Sequence, residues 1–281
     1  MQKSIKALII CILLIFIANC SVCYGRPPHV YTIAVVPQDP KLIIHRNWMP
    51  LLKYLTAKTG IPLQLKHYQN ITQFGADLYK GSPDFAYMNP YHAIVARKSQ
   101  GYIPLLKDGD RKLQGVMVVR KDSSIKSIRE LQGKHVAFPS PNAFAASLYI
   151  RALFAEQGIK IVPVYVTTHA NVYRHVILKK VPAGSGIYRT LQKEPRTVQD
   201  QLRVIFETPA SAPHPFSAHP RVPHEIQQAI RSVFIELSND VKNRHLLEAV
   251  QISKPVPADY DRDYLPLEKL HLEEFVSDTE H

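Results

Sequence analysis

Cysteine is missing from all but the first 23 residues of this 281-residue chain, where Cys11, Cys20 and Cys23 stand. A product cut beyond them has no disulfide frame, no thiol nucleophile and no cysteine-based zinc site. Long apolar runs are scarce too. The run Ala7 to Ala18, preceded by Lys3 and Lys6, is short for a permanent membrane span and has the layout of a secretory signal. Small residues at Cys23 and Gly25 suit cleavage after Gly25, so 1–25 reads as a signal peptide and the remainder as a soluble periplasmic chain. Ile17-Ala18-Asn19-Cys20 carries Asn where a lipidation motif has a small residue, which ranks lipid anchoring at Cys20 below plain cleavage.

Several functional signatures are also absent. Lys and Arg outnumber Asp and Glu by 35 to 23, yet they are scattered. Pairs such as Arg111-Lys112 and Lys179-Lys180 form no stripe, which argues against nucleic acid as a partner. A net basic surface favours small anions or an acidic partner. Gly184-Ser185-Gly186 is not a nucleophile elbow, so Ser185 reads as a loop serine. There is no phosphate-binding loop and no dinucleotide fingerprint, so no cofactor is expected. His214, His219 and His224 recur every five residues between prolines, in what reads as a surface strand, a spacing that supports no metal site. No repeat or low-complexity tract is seen.

What is present is an alternation of short β-rich runs with helical patterns, the mark of an α/β fold with largely parallel sheets. Tyr31 to Val36 reads as the first strand. Trp48, Leu51, Leu52 and Leu55 fall on one helix face, ended by Gly60. Strands follow at 63–65, 85–88, 102–106, 116–119, 135–138, 161–166 and 202–206. Helices are expected at 91–98, where Asn89 caps and Pro90 takes the first position, and at 127–131, 142–157, 171–179 and 187–192. The proline-rich passage 209–223 reads as a crossing over the surface, and the helices at 226–234 and 241–250 follow it.

Two strand-to-helix junctions share a design, Ala86-Tyr-Met-Asn-Pro-Tyr-His92 and Ala137-Phe-Pro-Ser-Pro-Asn-Ala143. Helix starts beyond strand ends collect ligands in open α/β sheets, because their first amides have no intrahelical acceptor. The stretches Trp48-Met-Pro-Leu-Leu-Lys-Tyr-Leu-Thr-Ala-Lys-Thr-Gly60, Asp84-Phe-Ala-Tyr-Met-Asn-Pro-Tyr-His-Ala93, Leu131-Gln-Gly-Lys-His-Val-Ala-Phe138, Thr168-His169 and Gly184-Ser-Gly-Ile-Tyr-Arg-Thr-Leu191 together resemble the phosphate/phosphite/phosphonate-binding receptors of ABC importers. The resemblance implies a two-lobed type II periplasmic binding fold, each lobe a mostly parallel sheet flanked by helices. One lobe would comprise 26–118 plus 209–281 and the other 119–208, joined by two crossovers around a ligand cleft. It implies no enzymatic activity, a monomer, a small anionic or polar ligand, and an ABC permease as partner. A membrane sensor is the alternative partner, and an exported hydrolase a distant alternative function.

The family's phosphonate binders resemble one another in a Ser-Thr-Ser-Gly-like run whose hydroxyls clasp the oxyanion. Here Ala143-Phe144-Ala145-Ala146 stands in its place, and Val181-Pro182-Ala183 stands where an acidic residue often precedes the small-residue turn. The resemblance therefore carries the cleft over, with weak binding of phosphate or phosphonate and added affinity for a larger ligand touching aromatic side chains. The expected ligand-binding residues are Tyr87, Asn89, Tyr91, Ser140, Asn142, Ala143, Phe144, His169 and Gln38. His169 reads as a ligand contact or a helix cap, Gln38 as a cleft residue or part of a turn with Asp39, and at least one of Tyr87, Tyr91 and His92 as core.

Overall fold

The computed structural model describes residues 29–277; the signal segment, Cys20 and the cleavage position after Gly25 lie outside them. Two sheets organise the described chain. The first contains β1 (Tyr31–Val35), β2 (Leu63–Lys66), β3 (Phe85–Tyr87), β4 (Ile103–Asp108), β10 (Phe216–Ala218) and β11 (Pro255–Pro257), in the order β11-β4-β10-β3-β1-β2. The second contains β5 (Gly115–Arg120), β6 (His135–Phe138), β7 (Val162–Tyr165), β8 (Ala183–Ile187) and β9 (Leu202–Glu207), in the order β7-β6-β8-β5-β9. In the first sheet β1 to β4 run one way and β10 and β11 the other; in the second only β5 runs against the rest. Most strands in each sheet thus share a direction, as the alternation of strand and helix requires.

The helices that flank the sheets arise from local signals. In α1 (Lys41–Thr59) the side chains of Trp48, Leu51, Leu52 and Leu55 are buried, and Gly60 ends the helix at φ 70°, a conformation open to glycine without steric cost. The sequence reading has no helix between β2 and β3, yet α2 (Ile71–Tyr79) lies there, capped by Asn70 and buried through Ile71, Phe74 and Leu78. Asn89 caps α3 (Pro90–Gln100) as expected. The second sheet carries α4 (Tyr149–Glu156), α5 (His169–Ile177), α6 (Tyr188–Lys193) and α7 (Arg196–Gln199). The later helix α8 (His224–Ser238) packs back on α1, so chain from both ends of the sequence builds the first sheet's core.

Three further elements depart from the sequence reading. The passage 209–223 is not purely a surface crossing, because β10 lies inside the first sheet between β3 and β4. Phe216 there is fully buried and stacks on Phe85 at 5.5 Å. A three-residue strand is too short to display a period. Ser185 is likewise not a loop residue: it is fully buried in the central strand β8. Lastly, the helix expected from Asn142 begins later and differently. Ser140 holds the turn by accepting the Asn142 amide on Oγ at 3.4 Å and the Ala143 amide on its carbonyl. Phe144–Leu148 then form a wide turn in which the Leu148 amide reaches the Ala143 carbonyl, and α4 follows. Gly115 meets this wide turn so closely that a Cβ on it would lie 2.1 Å from the Ala145 carbonyl oxygen.

Residues 109–114 lead from the first sheet to the second, and 208–215 lead back. The two segments run side by side, with the Leu113 and Ser211 amides each donating to the other's carbonyl at 3.0 Å. Thr208 reinforces the pair by accepting the Gly115 amide on Oγ1 at 3.0 Å. The strand β5, which a division at residue 118 would split, pairs along its whole length in the second sheet. After Tyr264, which is fully buried in the first sheet's core and donates to the Pro213 carbonyl, the chain crosses once more. The short 3-10 helices Leu265–Leu270 and Leu272–Phe275 bring it against α4.

Candidate functional site

A cavity of about 450 Å³ opens beside the two crossover segments. Its wall is built from helix starts. Pro40, Asn70, Asn89, Ala143 and Thr168 all line it, and these are the residues immediately preceding α1, α2, α3, the helix begun at Phe144, and α5. Each helix start carries about half a positive charge from its unpaired amides, so five such ends bordering one space make it electropositive without any basic side chain. Among the described residues no Lys or Arg lines it, and Asp39 is its carboxylate.

The starts differ in what they offer. At α3 proline supplies no N–H, and Asn89 accepts the His92 amide at 2.8 Å; this start contributes chiefly its dipole. At α5 the Thr168 hydroxyl accepts the Asn171 amide at 3.1 Å, which leaves its own proton to be donated elsewhere. The helix begun at Phe144 has no capping side chain, so the first-turn amides of Phe144, Ala145 and Ala146 have no intrahelical acceptor. Thr167 stands beside them with φ at 69°, strained for a β-branched residue. Its hydroxyl donates to the Val166 carbonyl at 2.6 Å, and Asn171 Nδ2 donates to that same carbonyl at 3.0 Å.

Of the residues expected from the sequence, Gln38, Asn89, Ser140, Ala143, Phe144 and His169 line the cavity, and Tyr87, Tyr91 and Asn142 do not. Tyr87 is buried behind the wall, with its ring 5.5 Å from that of His214 and 5.2 Å from Trp48; burial raises its hydroxyl pKa. Tyr91 packs with Phe144, Leu148 and Leu270 in an apolar cluster. Asn142 faces the C-terminal segment: its Nδ2 donates to the Ser277 carbonyl at 2.8 Å and its Oδ1 accepts the Ser277 amide at 3.0 Å.

His214, placed by the sequence reading in a surface strand, is buried and lines the cavity. Burial lowers its pKa to about 3, helped by His92 and Arg189. Burial also brings His169 to about 4, and its Nδ1 is shielded with no partner. Both imidazoles are therefore neutral near pH 7, each able to donate from one nitrogen and accept at the other. The reading also missed Asn70, Thr167, Thr168, Tyr165 and Leu113 in the wall. Asn70 had a legible signal, an N-cap ahead of Ile71, Phe74 and Leu78 at helical spacing; His214 had none.

The family described as "ABC transporter, phosphonate, periplasmic substrate-binding protein" matches residues 33–264. The chain belongs to this family. It is therefore a periplasmic substrate-binding protein of the phosphonate class of ABC importers, and the family is a transport family, not an enzyme family. The phosphate-import protein PhnD of Mycolicibacterium smegmatis is 20% identical over 234 residues, covering 75% of this chain and 73% of that protein. Among solved structures, XAC2383 from Xanthomonas citri bound to chloride ion is similar with a TM-score of 0.79 at 18% identity, over 88% of this chain and 99% of that one. PhnD1 from Prochlorococcus marinus in complex with methylphosphonate has a TM-score of 0.74 at 14% identity, over 87% and 98%. The two-lobed type II fold is thus common to this binding protein and its structural relatives, and its cavity occupies the space between the two sheets' helix starts.

Proposed function

We propose that the binding protein captures a phosphate- or phosphonate-type anion in this cavity and hands it to an ABC permease. One observation carries the reading: five helix starts border one space that, among the described residues, no Lys or Arg lines, a setting that suits an oxyanion held by amides. The amides of Phe144, Ala145 and Ala146 take the head, with Ser140, Thr168 and His169 as further polar contacts. Phe144, Tyr165 and Leu113 flank the rest of the space. The names of the relatives, a phosphate importer and a methylphosphonate complex, support the ligand class. The lobes of this reading divide at the two crossover segments, 109–114 and 208–215, so that β5 belongs whole to the second lobe, and they close on the ligand as a monomer after export and cleavage behind Gly25.

The wall lacks the hydroxyl clamp. Each hydrogen bond to a charged group contributes roughly 1.5–3 kcal/mol, so two missing hydroxyls weaken phosphonate binding by about two to four decades. Calorimetry with inorganic phosphate and methylphosphonate is expected to give micromolar or weaker binding. Replacing Ala143, Phe144 and Ala145 by Ser, Thr and Ser raises affinity for both anions. Nanomolar binding by the natural protein contradicts the clamp argument. Failure of every phosphate-type anion to bind overturns the ligand class.

A further inference from the structure

Among the described residues the cavity wall holds no Lys or Arg; Arg189 is near enough to act on His214, and Arg151 stands behind the turn that carries the amides. Arg151, on α4, reaches back along its helix to the turn that precedes Phe144. Its Nη2 donates to the carbonyl oxygens of Pro141 and Phe275, each at 2.6 Å, and its Nε to Ser147 Oγ at 3.2 Å. The guanidinium lies 5.9 Å from the centre of the Tyr165 ring and 5.7 Å from that of Phe275. Pro141 and Tyr165 are wall residues, and Arg151 is not.

Every one of these partners is neutral. Arg151 is only partly exposed, and among the described residues it takes part in no ion pair. Burial lowers its pKa, opposed by Tyr165 alone and by no carboxylate. Arg221 and Lys107, by contrast, each hold a carboxylate, Asp84 and Asp263. A guanidinium taken out of water with carbonyls, a hydroxyl and rings alone for company lacks the countercharge that normally offsets its desolvation. An anion in the cavity, on the far side of Pro141 and Tyr165, would supply it.

The same side chain is half of a clasp. Arg151 ties Pro141 to Phe275, and the reciprocal pair between Asn142 and Ser277 ties the next residue to the same C-terminal stretch. The turn that presents the Phe144–Ala146 amides is therefore fixed from behind by chain that comes from the first sheet's side. We infer that Arg151 is a positioning residue for the anion: it supplies the positive charge that the wall lacks and holds the amide-bearing turn against the C-terminal segment. The inference rests on the reading of the cavity as an anion site.

Full-length Arg151→Met and Arg151→Lys separate charge from scaffold, because lysine keeps the charge and loses the planar fork. Calorimetry with inorganic phosphate and with methylphosphonate is run at about 20 and about 200 mM salt, where screening of a charge differs several-fold in range. Arg151→Met is expected to lose about tenfold or more in affinity and to show a shallower salt dependence than the natural protein. Arg151→Lys is expected to melt at a lower temperature, yet to keep affinity within about threefold and the natural salt dependence. Equal losses in both variants, with salt dependence unchanged, reduce Arg151 to a scaffold and overturn the inference, as does natural affinity in Arg151→Met. If Arg151→Met does not fold, Arg151→Lys decides: affinity lost in step with its melting temperature counts against a role for the charge. If the natural protein binds neither anion, the anion reading fails first and this inference falls with it, an outcome distinct from failure in the variants alone.

Discussion

Thr167 keeps a φ of 69° next to the cavity, a left-handed conformation that a β-branched side chain avoids and asparagine accepts. Such strain costs about 1–3 kcal/mol, against which the bond from its hydroxyl to Val166 contributes about 0.5–1.5 kcal/mol. Thr167→Asn is therefore expected to raise the melting temperature of the ligand-free protein by about 2–4 °C, for a net gain near 1 kcal/mol; an unchanged or lower value in a thermal melt contradicts the strain account. At this scale sequence is legible where a residue acts through the backbone. Asn89 and Pro90 announce a helix start, and Ala143 and Phe144 mark a helix start without hydroxyls. Tyr87 and Asn142 sit at the same junctions, but their side chains turn to His214 and to Ser277. Which way a side chain points depends on partners distant in the chain, and no local pattern encodes them.

Elements show the same division. The long apolar face and terminal glycine of α1 are visible in the sequence because 19 residues give a period room to appear. Strand β8 is hidden because Gly184, Ser185 and Gly186 have the composition of a turn. Its glycines answer to packing: a Cβ on Gly186 would lie 2.1 Å from the Tyr173 hydroxyl oxygen, and one on Gly184 would lie 2.5 Å from Val172 Cγ1. Both neighbours belong to α5, so these glycines set how closely that helix, with Thr168 and His169 at its start, lies on the sheet. Overpacking of this kind costs about 1–3 kcal/mol. Gly186→Ala is expected to lower the melting temperature by about 3–10 °C and to weaken anion binding by shifting His169. A variant with natural stability and affinity shows that α5 adjusts freely.

At the scale of the whole molecule, burial lowers the pKa of five imidazoles among the described residues, His67 and His219 by less and three far from the usual histidine range. His92 packs edge-on to Phe74 at 5.0 Å with its Nδ1 unpartnered, and burial lowers its pKa to about 3; His214 is brought to about 3 and His169 to about 4. In the unfolded chain each titrates near 6.5. All three shifts are downward, so as pH falls below about 6.5 the unfolded state takes up protons that the folded state refuses. The stability they confer is complete above that pH and declines as pH drops toward about 4 and then about 3. Each contributes a slope of about 1.4 kcal/mol per pH unit inside its window, so together they remove about 4 kcal/mol per unit, a large part of an ordinary domain's 5–15 kcal/mol. The carboxylates with depressed pKa, among them Asp84 and Asp263, lose their contribution only at lower pH, after the histidines have begun to act. Denaturant unfolding at pH 7, 6 and 5 is therefore expected to show stability falling steeply across this range. His92→Leu, which removes one titrating group and keeps an apolar side chain against Phe74, makes that fall shallower by about a third. A stability that stays level down to pH 4, or a slope that His92→Leu leaves unchanged, contradicts the assignment of acid sensitivity to these buried rings.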